Sequence, residues 1–137
     1  MATGMIHHFE INVSNLQRSI AFWGWLLKEL GYKSFQEWES GKSWKLGETY
    51  LVFVQTDVKF IEPGYHRRRT GLNHIAFHGR SREQVNQLTE RLMSKNVPIL
   101  YKDKHPYAGG EHHYAVFFED PDRIKVEIVA PINNSYA

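Results

Sequence analysis

The chain has no cysteine among its 137 residues, so disulfides, thiolate metal ligands and a cysteine nucleophile are all excluded. That absence fits a reducing compartment. No run approaches the ~18 consecutive apolar residues of a membrane span, and Met1 to Met5 is too short and uncharged to read as a signal peptide. A cytoplasmic protein that does not engage a membrane is expected. Charge of one sign is also scarce: 17 Lys and Arg stand against 15 Asp and Glu, a net charge of +2 with histidines neutral. So small an excess provides no field that would gather nucleic acid. The one basic run, Arg67-Arg68-Arg69, reads as a solvated stretch in preference to an anion-binding patch.

What is present is a full set of core formers in a length suited to one domain spanning residues 1–137. From His7 to Val13 the chain alternates, with Phe9, Ile11 and Val13 on one face and His8, Glu10 and Asn12 on the other, as a strand does. Ser14-Asn15-Leu16-Gln17 then reads as a capping box, and Leu16, Ile20, Trp23, Leu27 and Leu30 recur at helical spacing up to Gly31. Short β-rich pieces at 32–38, 43–46 and 49–55 follow. After an aperiodic stretch the same order returns: an alternating run at 72–78, a second box at Ser81-Arg82-Glu83-Gln84, and a stripe of Val85, Leu88 and Leu92. Strands are then expected at 98–101, 114–118 and 124–129, with a long loop at 102–113. The chain is therefore expected to be α+β, two βαβββ modules at 5–57 and 71–131 joined by a linker at 58–70 and packed around a shared cavity.

Strand parity sorts the polar residues. The helix-covered faces require apolar side chains, which Phe9, Ile11 and Val13, Ile75 and Phe77, and Ile124, Val126 and Ile128 supply. His8, His74 and Glu127 all fall on the opposite faces. Two imidazoles and a carboxylate that converge on one divalent cation leave coordination positions open, and the set suits Zn, Ni, Co, Mn or Fe(II) alike. A carboxylate between Val126 and Ile128 is costly to bury without a cation. Each histidine has a plainer alternative as a hydrogen-bonded strand residue.

The chain resembles the vicinal oxygen chelate superfamily, which includes glyoxalase I, fosfomycin-resistance thiol transferases, methylmalonyl-CoA epimerase, extradiol dioxygenases and the metal-free bleomycin-resistance proteins. The resemblance is carried by residues 6–16 with Ser19-Ile20-Ala21-Phe22-Trp23, by Gly71-Leu72-Asn73-His74-Ile75-Ala76-Phe77, and by Phe118-Glu119-Asp120-Pro121-Asp122 leading to Val126-Glu127. It implies metal ligands at His8, His74 and Glu127. Two departures stand out. The strand closing the first module, Tyr50 to Gln55, lacks the glutamate of glyoxalase I and offers only the neutral oxygen of Gln55. The glycine of the Asp-Pro-Asp-Gly turn is Arg123, which costs about 1 kcal/mol wherever that position needs positive φ.

Glu10, about 6.6 Å along the strand from His8, suits a general base, a replacement fourth ligand or a salt bridge at the cavity mouth. Tyr107 and Tyr114 suit oxyanion binding, substrate stacking or surface packing, and the 102–113 loop with its histidines and Gly109-Gly110 suits a lid. The resemblance implies a metal-dependent lyase or isomerase, thiol transferase or dioxygenase that acts on a small-molecule substrate, commonly as a homodimer. The alternative is a metal-free protein that sequesters a small molecule.

Overall fold

Residues 2–132 are described in the computed structural model. The chain divides into two units, Met1–Gly64 and Tyr65–Ala137. In the first, the alternating run forms β1 (His8–Val13), followed by α1 (Leu16–Glu29), β2 (Lys33–Trp38), β3 (Gly41–Leu46) and β4 (Thr49–Gln55). The sheet order is β1-β4-β3-β2, with β1 parallel to β4 and the other pairs antiparallel. A parallel β1–β4 pair requires a crossover, and α1 together with the β2–β3 hairpin provides it.

Helix α1 lies on the sheet face that carries Leu51 and Phe53; Trp23 stacks on Phe53 with ring centroids 4.9 Å apart. Trp23, Leu26, Leu27 and Phe53 are fully buried, each contributing about 1.5–3 kcal/mol of transfer free energy. Truncating Phe53 to Ala would cost about 3–5 kcal/mol. The cap of α1 is Asn15, whose side chain accepts from the Arg18 amide at 3.1 Å. The expected Ser14 box does not form: Ser14 Oγ instead accepts from the Arg18 guanidinium at 3.2 Å. At the other end Gly31 takes φ 97°, and bonds from Gly31 N to Lys28 O and from Tyr32 N to Leu27 O close a Schellman motif.

The second unit holds β5 (His74–His78), α2 (Arg82–Ser94), β6 (Ala115–Glu119) and β7 (Lys125–Val129) in the order β5-β7-β6. Again the first and last strands are parallel and the last two antiparallel. Ser81 caps α2 as expected, accepting from the Gln84 amide at 3.0 Å, and Asn96 at φ 60° ends it in the same Schellman pattern. The strand expected at 98–101 is reduced to one bridge, Ile99 to Phe118. Tyr101 at φ 55° turns the backbone out of the extended region there and stops the ladder. The architecture is α+β, two small sheets and two helices, and no helix among the described residues is long and apolar enough to cross a membrane.

Candidate functional site

The register of the second sheet places Ala76, Glu127 and Phe117 side by side, flanked by a row of His74, Lys125 and Glu119. Parity puts all six on the face away from Val116, Phe118, Val126 and Ile128, which are buried with α2. Glu127 is only 4% exposed. Its Oε1 lies 3.3 Å from His74 Nε2, and its Oε2 is hydrogen-bonded to His113 Nε2. Lys125, its neighbour in the strand, does not neutralise it; that ammonium bonds the Tyr101 hydroxyl at 2.9 Å and lies over the Tyr101 and Phe117 rings. A carboxylate buried this far from water is costly to leave uncompensated, and a bound cation would offset that cost.

Asn73 sets the orientation of His74. Its Oδ1 is 2.8 Å from His74 Nδ1 and can only accept, so Nδ1 is the donor in that contact and Nε2 is the nitrogen that faces Glu127. The arrangement is that of a metal-binding histidine fixed by an outer partner. A separation of 3.3 Å between Nε2 and Oε1 is one that two donors on a single cation, each bonded at about 2.0–2.2 Å, can share. His74 and Glu127 therefore fit as a ligand pair. Among the described residues no group of three His, Asp or Glu side chains forms a ready cage. His113 occupies the second oxygen as a hydrogen-bond partner of the carboxylate.

His113 comes from the loop at 102–113. Gly109 makes its position possible: a Cβ there would lie 2.4 Å from His113 Cδ2. His113 N also bonds Gly110 O at 3.1 Å, where Gly110 takes φ 126°. The loop that reads as a lid thus contributes a side chain to the Glu127 carboxylate. An aperiodic loop carries no parity from which that could be deduced; the adjoining Gly109-Gly110 pair was the available signal.

His8 lies in β1 of the first unit, exposed, stacked on Tyr50 at 4.7 Å between centroids, with Nδ1 2.9 Å from His7 Nδ1. Glu10, on the same face, is exposed and forms no ion pair among the described residues. The β4 residues in register with that face are Tyr50, Val52 and Val54, none of them acidic. Gln55 lies on the opposite face and is fully engaged at the start of α1: Oε1 accepts from Leu16 N at 2.8 Å, and Nε2 donates to Ser14 O at 2.9 Å and Thr56 O at 3.2 Å. Its oxygen is thus committed to backbone. Tyr107 packs edge-on against Tyr114, whose hydroxyl donates to Asn86 Oδ1 of α2 at 2.6 Å.

The basic run is not simply solvated. Arg67 Nη1 pairs with the buried Glu119 at 2.6 Å and also donates to Arg123 O at 3.2 Å. Burial raises the pKa of the neighbouring Tyr65 phenol, an effect opposed by Arg67 and reinforced by Asp120; its hydroxyl donates to Leu72 O at 2.8 Å. Burial also lowers the pKa of His105.

Residues 5–128 match the model of the Glyoxalase/Bleomycin resistance protein/Dioxygenase superfamily. The chain is 61% identical over 126 residues to the uncharacterized protein YqjT of Bacillus subtilis, which covers 92% of this chain and 98% of that protein. A crystal structure of a candidate glyoxalase from Bacillus halodurans is 64% identical, with a TM-score of 0.93 over 94% of this chain and 97% of that one. The fold also matches the fosfomycin resistance protein FosX of Listeria monocytogenes, 22% identical, with a TM-score of 0.67 over 96% and 95% of the two chains.

Proposed function

The chain belongs to the glyoxalase/bleomycin resistance protein/dioxygenase superfamily, and on that premise we propose that it is a metal-dependent enzyme acting on a small molecule with neighbouring oxygens. The observation that carries this reading is the 4% exposed Glu127 carboxylate with Oε1 3.3 Å from an imidazole nitrogen that Asn73 has turned toward it. On this reading His74 and Glu127 would hold the cation, and His8, which falls on the family's first-strand ligand position, is proposed as the third ligand. A divalent ion bound by this set supplies Lewis-acid stabilisation to a developing oxyanion.

The chain's own residues do the rest. Asn73 keeps the proton of His74 on Nδ1, and His113 fixes the carboxylate through Oε2, leaving Oε1 for the cation. Glu10, an exposed carboxylate without an ion pair among the described residues, is proposed as the proton-transfer base. Tyr107 is proposed to contact the substrate from the loop. A homodimer is proposed as well, tested by light scattering.

Titration with Mn(II), Ni(II) or Zn(II) tests the reading: one ion per chain is expected, lost in Glu127→Ala and His74→Ala. A second reading, a metal-free protein that sequesters its ligand, is favoured by one observation: Oε2 of Glu127 is already hydrogen-bonded to His113, which gives the buried carboxylate a partner without a cation. Absence of stoichiometric metal after reconstitution would select it.

A further inference from the structure

Apart from Glu127, the second unit contains a cavity of about 230 Å³ lined by Tyr65, His66, Arg67, Arg68 and Arg123. Three of its five lining residues are arginines, and they are arranged by a buried acid. Glu119, 7% exposed, accepts from Arg67 Nη1 at 2.6 Å and from Arg123 Nε at 3.5 Å. One carboxylate thus holds two guanidinium groups next to each other, while Arg68 forms no side-chain ion pair among the described residues. Glu119 and the buried Asp120 leave the arginine set with a net positive charge.

Arg123 adds a second, independent observation. It occupies the left-handed position of the β6–β7 turn at φ 67°. The turn is built by Asp120, whose Oδ1 accepts from the amides of Asp122 and Ile124, both at 2.8 Å. Glycine would hold that backbone without the steric cost an arginine incurs. The residue present instead carries that backbone strain, and its long cationic side chain lines a cavity with two other arginines. Local strain of this kind is retained where the side chain serves a purpose.

We propose that this cavity is an oxyanion-binding site, which takes the phosphate or carboxylate group of a small molecule between Arg68 and Arg123, with Arg67 held behind them by Glu119. Guanidinium forks match both anions bidentately. Phosphate, with more charge and more oxygens, binds more tightly than a monocarboxylate. The site does not depend on a bound metal.

The test is a calorimetric titration of the full chain with inorganic phosphate, and in parallel with acetate, at ionic strength held constant with sodium chloride. Saturable phosphate binding is expected, with acetate at least fivefold weaker; acetate binding as tightly as phosphate, or more tightly, would assign the site to carboxylates and overturn the phosphate preference. Arg68→Gln and Arg123→Gly should each weaken phosphate at least fivefold, while Lys104→Gln, the loss of an exposed charge outside the cavity, should not. Arg123→Gly should at the same time raise Tm by about 3 °C as the backbone strain is relieved, which separates lost binding from lost folding. A linear, unsaturable response, or equal weakening by Lys104→Gln, would overturn the proposal.

Discussion

His74 Nε2 lies 3.3 Å from Oε1 of the buried Glu127, and the opposite edge of the same ring is anchored 2.8 Å from Asn73 Oδ1. An imidazole gripped on one side and aimed on the other has lost its rotational freedom before any cation arrives. Asn73→Ala should therefore weaken divalent metal binding about tenfold through loss of orientation. Glu127→Gln, which removes the charge, should weaken it at least a hundredfold. Calorimetric titration of the three proteins measures the order, and an Asn73→Ala protein that binds as wild type would remove the positioning role.

The contact between His113 and the second oxygen of Glu127 depends on the absence of a side chain at Gly109. His113→Ala should destabilise the fold by about 1 kcal/mol, the low end for a buried group that loses a partner, because the imidazole is 41% exposed. Gly109→Ala should displace the same ring and cost a similar amount. The double variant should cost little more than either alone. Additive losses in urea unfolding would show that the glycine acts elsewhere.

Gln55 forms three hydrogen bonds around the first turn of α1. Gln55→Ala should cost about 1–2 kcal/mol, the scale of a lost helix cap, and leave metal affinity unchanged. A fall in metal affinity without a loss of stability would reverse that assignment.

Burial lowers the pKa of His105, so the unfolded chain takes up a proton there before the folded chain does. That contribution to stability is present above about pH 6.5 and is lost as the pH falls through the folded-state value. His105→Gln should flatten this part of the acid limb. Urea midpoints at pH 7.5 and 5.5 for both proteins provide the check; equal slopes would contradict it.

Both histidine strands, both helices and the parity of Glu127 were legible because they rest on local period. Ser81 was legible as a cap because no better candidate stands beside it, whereas Ser14 lost the role to its neighbour Asn15. The shortened strand at 98–101 depended on the φ of Tyr101, which composition does not reveal. His113 and the Arg67–Glu119 pair bring together residues 14 and 52 positions apart through irregular segments, where neither alternation nor helical spacing carries information. Charge runs show where cations lie along the chain and not which acid they will meet.

Anomalous diffraction from crystals of the protein loaded with Mn(II) or Zn(II) locates the cation. A single strong peak within about 2.0–2.3 Å of both His74 Nε2 and Glu127 Oε1 is predicted. A peak that omits Glu127, or density in which His74 Nε2 and Glu127 Oε1 stay in contact with no ion between them at saturating metal, would contradict it.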